Sequence, residues 1–369
     1  MKTKLIAMYL PQYHIIPEND EFWGKGFTDW TTVKNAEPLF SGHRQPRRPL
    51  NDNYYDLSLE SSIVWQQKLA KEYGVYGFAI YHYWFNNEKN LLTKPSQIIL
   101  NNSNIDINFC FSWDNISWKR SWSNIKENGN AWAPSVDLSR GVNNGPSILI
   151  PYVLGEEKDW LNHYKYLRDF FLDKRYIKVN NKPVFLIFHY DNKICEMAEY
   201  WSKLSIKDGF DGIFFIYRYV RTNDLNAYTF KYEPQFSAWS DPQFTDKLRN
   251  RILKFVSNNS RPKEFDYDRV WKTILYNARK MNDKTVFPGA FVSYDDTPRR
   301  GSGGTIIKNA TKEKFEKYLR ELIDISTLQN KEFVFLTAWN EWGEGAYLEP
   351  DTVDKFDYLN SIKNVMINR

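Results

Sequence analysis

Eight short apolar runs recur along this chain, at residues 5–10, 75–84, 107–113, 184–188, 213–217, 228–237, 286–292 and 333–339. Each has the length of a strand. Between them lie stretches that read as helices, at 58–73, 159–172, 194–204, 267–281, 312–328 and 354–366. Strands that alternate with helices pair in parallel through crossovers. About eight repeats of that rhythm predict an α/β chain closed into a (β/α)8 TIM barrel rather than an open doubly wound sheet. No Gly-x-Gly-x-x-Gly follows the first strand, which weighs against dinucleotide binding. With no convincing linker and no internal repeat, residues 1–369 read as a single barrel domain.

Charge narrows the partners. Fifty basic and 45 acidic residues leave a net +5, and the signs are interspersed, so no nucleic-acid stripe is expected. The densest basic cluster, His43-Arg44-Gln45-Pro46-Arg47-Arg48, reads as a solvent-facing loop or as a site for an anionic sugar or phosphate. Cys110 and Cys195, without a Cys-x-x-Cys or Cys/His cluster, read as reduced thiols. The apolar stretch at the amino terminus is too short for a secretory leader, and no run approaches a membrane span. A cytoplasmic location follows as an expectation. The oligomeric state is not readable.

In such barrels the reactive groups sit at the carboxyl ends of strands. Those ends carry Gln12 and His14; His82, Tyr83 and Trp84; Trp113 and Asp114; His189; Arg218; Glu233; Tyr294, Asp295 and Asp296; and residues 339–344. The last group is the densest. Ala338-Trp339-Asn340-Glu341-Trp342-Gly343-Glu344-Gly345 puts two carboxylates three positions apart between two indoles, directly after the final apolar run. Paired acids beside flat aromatic surfaces suit glycosidic-bond chemistry: one carboxyl protonates a leaving oxygen, the other acts as base or nucleophile, and rings stack on sugars. On a helical turn the two side chains lie about 5–6 Å apart. The blander alternative is that one glutamate only binds hydroxyls or pairs with a nearby arginine.

Several segments together resemble the WbsX-like proteins, which belong with glycoside hydrolase family 99. They are Tyr9-Leu10-Pro11-Gln12-Tyr13-His14, Trp23-Gly24-Lys25-Gly26-Phe27-Thr28-Asp29-Trp30, Gly42-His43 with Gln45-Pro46, Tyr54-Tyr55-Asp56-Leu57, Tyr81-His82-Tyr83-Trp84-Phe85, Ser112-Trp113-Asp114-Asn115, and Asn340-Glu341-Trp342-Gly343-Glu344 with Leu348-Glu349-Pro350. The resemblance implies a (β/α)8 barrel, an oligo- or polysaccharide substrate and no cofactor. It maps the catalytic glutamates of family 99 onto Glu341 and Glu344, and implies net retention through a 1,2-anhydro sugar. Glu341 is then the base toward the substrate 2-hydroxyl and Glu344 the acid/base. This chain departs from the mannosidase pattern at Gly343, where those enzymes usually carry histidine, so the sugar is left open.

Tyr9, Gln12, His14, Trp30, His82, Tyr83, Trp84, Trp113 and Asp114 are expected to bind substrate, with Asn340 and Trp342 supporting the pair. Trp118, Trp122 and Arg120 extend the aromatic segment after the third strand. Asp295, Asp296, Arg299 and Arg300 read either as a loop closing over substrate or as an exposed salt-bridged turn. Gly301-Ser302-Gly303-Gly304 is read as a mobile loop. Asp266-Tyr267-Asp268 fits the Asp-x-Asp of metal-dependent sugar transferases, but it opens a helix, where capping explains it better. Nothing has metal-ligand spacing. Three functions remain in view: a retaining, endo-acting hydrolase of α-linked glycans, a glycosyltransferase of surface polysaccharide or lipopolysaccharide synthesis, and a glycan-binding barrel without turnover.

Overall fold

The computed structural model describes residues 2–119, 148–219, 227–239, 248, 250–252, 261–281 and 283–368. Eight parallel strands form the central sheet: β1 (Lys4–Tyr9), β2 (Gly77–Asn86), β3 (Asn108–Trp113), β4 (Lys182–His189), β5 (Phe214–Tyr219), β6 (Tyr228–Phe230), β7 (Val286–Phe287 and Gly289–Phe291) and β8 (Phe333–Thr337). Consecutive strands are neighbours, and β8 returns to β1 through the register Leu5↔Val334 and Ile6↔Phe335.

Closure happens at β7, which is split at Pro288. Its first half pairs with β6 through Thr229↔Val286, and its second half pairs with β8 through Gly289↔Phe335. A proline has no N–H to give a ladder, so it sits where the strand changes partners. Its carbonyl still accepts from Phe335 N at 3.1 Å. At Gly289 a Cβ would lie 1.8 Å from the Lys231 carbonyl, so only glycine lets the two backbones approach this closely.

The crossover helices are α1 (Glu60–Glu72), α2 (Lys94–Asn101), α3 (Glu157–Leu172), α4 (Asn192–Lys207), α5 (Tyr267–Lys280) and α6 (Lys312–Leu328), and α7 (Asp357–Met366) follows the last strand. α3 shows why they pack. It buries Trp160, His163, Tyr164, Leu167, Phe170 and Phe171, spaced three and four apart on one stripe. The helix α2 follows a short hairpin that the sequence reading passed over. α1 starts after Leu59 rather than at 58 and has no side-chain cap, whereas Asp266 caps α5 by accepting from Arg269 N. The second half of the expected strand 228–237 is instead a short helix, Gln235–Ala238. Cys110 and Cys195 form no disulfide.

Strand β2 shows how the barrel sorts its side chains. Successive residues point to opposite faces. Tyr81 and Tyr83 face the interior of the carboxyl end, while His82 packs outward against His163 and Tyr166 of α3.

Candidate active site

The carboxyl ends of the strands surround a cavity of about 750 Å³. Gln12 and Asp29 reach it from the loop after β1, Tyr81 and Tyr83 from β2, Asp114 from the end of β3, Tyr232 from the end of β6, and Arg299 from the loop after β7. Glu341 and Glu344 come from the exit of β8. Of the residues expected from sequence to bind substrate, Gln12, Tyr83 and Asp114 line this space together with both glutamates. Trp118 lines it too, edge-on to Tyr83 with ring centroids 5.4 Å apart. Burial raises the Asp114 carboxyl to about 6, with Arg218 acting against the rise.

The glutamate segment is a tight hairpin. Asn340–Glu341 pairs antiparallel with Ala346–Tyr347, and one 3₁₀ turn, Trp342–Glu344, joins them. The sequence leaves the turn type open and expects the two side chains to converge if the segment takes a helical turn. A 3₁₀ turn brings positions three apart onto the same edge. Gly345 closes the turn at φ 58° in the left-handed region. Asn340 anchors the hairpin to the end of β1: its Oδ1 accepts from Leu10 N at 2.7 Å and its Nδ2 donates to Leu10 O at 3.0 Å. Tyr13 fixes it from the other side, donating to Asn340 O at 2.6 Å and accepting from Trp342 N at 3.2 Å.

One guanidinium holds three carboxylates at this point. Arg299 Nη1 donates to Glu344 Oε1 at 2.8 Å, and Nη2 donates to Glu341 Oε2 at 3.0 Å. Nη2 also donates to both Asp29 oxygens at 3.1 Å. Burial pushes the Glu341 carboxyl up, to about 8; Arg299 pulls it down, and Glu344 and Asp29 add to the rise. Burial is the largest cause, and a single positive charge shared among three acids does not cancel it.

A second carboxylate lies behind the wall. Glu349 accepts from Gln66 Nε2 at 2.7 Å, Tyr55 Oη at 2.8 Å and Trp342 Nε1 at 2.7 Å. Burial raises it to about 7 despite those donors. Tyr9 joins the same network by donating to Gln66 Oε1 at 2.7 Å.

Eight of the expected site residues therefore do not line the cavity. Tyr9, Asn340 and Trp342 are committed to the contacts just described, and Trp342 also stacks on Tyr347 at 3.7 Å between centroids. Trp30 packs against Tyr13, Tyr55 and Trp342 and donates its Nε1 to Tyr55 O. His14 is buried, and burial holds its imidazole below the ordinary value while Asp56 works the other way. His82, Trp84 and Trp113 sit on the outward face: His82 shares a 2.7 Å contact with His163 Nε2, Trp84 stacks on His163, and Trp113 packs against Trp201 of α4. The two indoles of the glutamate segment are core, since Trp339 and Trp342 are both fully buried. Strand parity and burial decided each of these positions.

The basic cluster at 43–48 is neither a free loop nor an open anion site. Arg44 bridges Asp351 and Asp354, while His43 and Gln45 both reach Asp295. Asp295 and Asp296 are buried, with Asp295 also accepting from Thr297 N and Oγ1. Gly301–Gly303 forms a 3₁₀ turn whose first glycine is buried. Glu233 is likewise internal, bonded by Ser237 N and Oγ. Arg120 and Trp122 lie outside the described residues. Sequence reasoning did not place Asp29, Tyr13, Tyr81 or Tyr232 at the site. Parity along β2 would have found Tyr81; Asp29 was marked only by its place in the motif Trp23-Gly24-Lys25-Gly26-Phe27-Thr28-Asp29-Trp30.

A family model described as glycosyltransferase WbsX matches residues 5–362, and the chain belongs to that carbohydrate-active family. Two proteins called uncharacterized protein WxcX, from Xanthomonas campestris pv. campestris strains B100 and ATCC 33913, are 29% identical over 372 residues and 28% identical over 385 residues. Each match takes in 99% of this chain and 50% of the relative, so the chain spans about half the length of these proteins. Among solved structures, the GH99 endo-alpha-mannosidase from Bacteroides thetaiotaomicron superposes with a TM-score of 0.57 at 14% identity, covering 99% of this chain and 96% of that one. A glycoside hydrolase-like protein superposes with a TM-score of 0.55 at 11% identity, covering 99% and 94%. These likenesses establish the barrel fold. No helix among the described residues is long and apolar enough to cross a membrane.

Proposed function

From membership of the WbsX family and the geometry of the cavity, we propose that this chain is a retaining glycoside hydrolase acting on α-linked glycans, within the chain rather than only at its end. The observation that carries the reading is the pair Glu341 and Glu344, three residues apart, both opening on one cavity and held by one arginine. Glu341 takes the proton of the substrate 2-hydroxyl. The freed O2 attacks C1 and the glycosidic C1–O bond breaks. Glu344 gives its proton to the leaving oxygen. Glu344, now charged, then takes a proton from water as that water opens the 1,2-anhydro ring, and Glu341 returns its proton to O2. Two displacements at C1 give net retention. Gln12, Tyr83 and Asp114 supply hydrogen bonds to hydroxyls, and Trp118 offers a ring face. A second cavity of about 580 Å³ shares Gln235 and Arg300 with the first, which supports a chain of several sugars.

The family description favours a second reading, a retaining glycosyltransferase using the same pair with a sugar hydroxyl in place of water. Two experiments separate these readings. A screen of defined α-linked oligosaccharides, followed by NMR of the first-formed anomer, should give a retained product for the hydrolase. Calorimetry with nucleotide sugars should give heat of binding only for the transferase. The pair has no catalytic role if Glu341→Gln and Glu344→Gln turn over the confirmed substrate as fast as the unaltered chain.

A further inference from the structure

Gly343 lies between the two glutamates at a φ outside the left-handed region, so backbone freedom does not explain a glycine there. Space does. A Cβ built at Gly343 would stand 2.6 Å from Arg299 Nε, 3.2 Å from Arg299 Cζ and 2.8 Å from Asp29 Oδ2. The guanidinium occupies the volume that any side chain at position 343 would fill. Arg299 is itself held in place. It sits in the short helix Thr297–Arg300, whose first turn hangs from Asp295, and Asp295 is fixed by His43 and Gln45. Of its donor atoms, Nη1 is committed to Glu344 and Nη2 to Glu341 and Asp29.

We propose that Arg299 is the positioning residue of the glutamate pair: it fixes Glu341 and Glu344 relative to each other and favours the proton-accepting form of Glu341, and does so through the opening that Gly343 leaves. The inference rests on the reading of Glu341 and Glu344 as the reacting pair. Every other group facing Glu341 works against its charge or is neutral. Asp29 and Glu344 both add to the rise of the Glu341 carboxyl. Tyr13, Tyr81, Tyr83 and Tyr232 are buried phenols whose own ionisation is suppressed, and Asp296 faces Glu344 from the β7 loop. Among the described residues, Arg299 is the cation that pulls the Glu341 carboxyl down. Substrate that enters this space meets a pair whose members are already fixed relative to each other by Arg299, which is the preorganisation that spares reorganisation during reaction.

The test follows the ionisation of Glu341 directly. Protein carrying ¹³Cδ-labelled glutamate is titrated by NMR, with Glu341 and Glu344 assigned from their Gln variants. Arg299→Gln should raise the Glu341 midpoint by about one unit or more, the size of effect expected from removing a single hydrogen-bonded partner charge. Arg299→Lys should recover part of it. Gly343→Ala keeps the arginine but crowds the flexible end of its side chain, so it should fold, shift Glu341 in the same direction, and add little when combined with Arg299→Gln. With a cleaved oligosaccharide in hand, kcat should fall more than KM changes, and the acid limb of kcat/KM should move to higher pH in step with the NMR midpoint. An unmoved Glu341 midpoint in Arg299→Gln, with a native circular-dichroism spectrum, overturns the inference. Wild-type turnover by Glu341→Gln overturns the proposed function instead, so the two failures are distinguishable.

Discussion

Glu341 and Glu349 stand eight positions apart on one loop, are both almost fully buried, and are both pushed up by burial, to about 8 and about 7. Their partners differ in kind. Glu349 accepts from three neutral donors, does not line the cavity that Glu341 opens on, and ties Tyr55, Gln66 and Trp342 into one knot. Glu341 shares a single cation with two other acids and opens on the cavity. Burial alone does not mark a reactive carboxylate. What marks it is a charge left incompletely compensated at a place substrate can reach, because there the interaction can strengthen as the reaction proceeds.

The largest expected effect tests that division. Glu341→Gln and Glu344→Gln should each lower kcat/KM by about 10²- to 10⁴-fold, the usual worth of a general acid or base. Glu349→Gln should leave it within about one order of magnitude. Steady-state kinetics on a cleaved oligosaccharide reads both. A collapse in Glu349→Gln equal to that in Glu341→Gln breaks the comparison.

Stability should move in the opposite sense. Glu349→Leu strands three buried donors and should lower unfolding free energy by about 3 kcal/mol or more. Glu341→Gln removes one of three acids crowded on one guanidinium and should leave stability unchanged or raise it. Urea melts followed by tryptophan fluorescence decide between them.

The scaffold of this comparison was legible in sequence, while its contacts were not. The eight strands fall where apolar runs place them, and the glutamate pair stood out because Glu341 and Glu344 follow the last run directly. Misreadings came from two physical sources. One is parity: His82 and Tyr83 are adjacent and equally polar in appearance, yet only Tyr83 points inward, and nothing but a consistent count along β2 tells them apart. The other is long-range pairing. Asp29 and Arg299 are 270 residues apart and meet through 3.1 Å contacts, and His43 reaches Asp295 across 252 residues. Local spacing carries no trace of such meetings. The aromatic richness misled in the same way, because Trp30, Trp113, Trp339 and Trp342 are needed as packing, whereas Trp118 borders the cavity.

Acidity sharpens the contrast further. If Glu341 must be charged to act, kcat/KM should rise with pH and level off above about 8. Glu349 should show in folding rather than in rate. Its folded value, about 7, lies above the ordinary 4.5, so the folded state binds the extra proton within that window. The stability it contributes is present at low pH and is lost as pH rises from about 4.5 to about 7, by about 3 kcal/mol if it acts alone. Urea melts at pH 5 and pH 7.5, compared between the unaltered chain and Glu349→Gln, isolate this term, because the variant has no proton to lose.

The smallest expected effect lies on β2, where one residue separates the cavity from the wall. Tyr83→Phe removes a hydroxyl that faces the cavity beside Asp114, and should raise KM by about 3- to 10-fold, one hydrogen bond's worth, with little change in folding. His82→Phe leaves the cavity untouched. It deletes the 2.7 Å contact to His163 while keeping a ring stacked on Tyr166, so its cost should appear in Tm and leave KM within about twofold. Burial already holds His82 far below its ordinary value, to about 3, so it carries no charge near neutral pH. A KM change in His82→Phe as large as that in Tyr83→Phe means that the outward face reaches the substrate after all, and the line between reacting and supporting residues must then be drawn one layer further out.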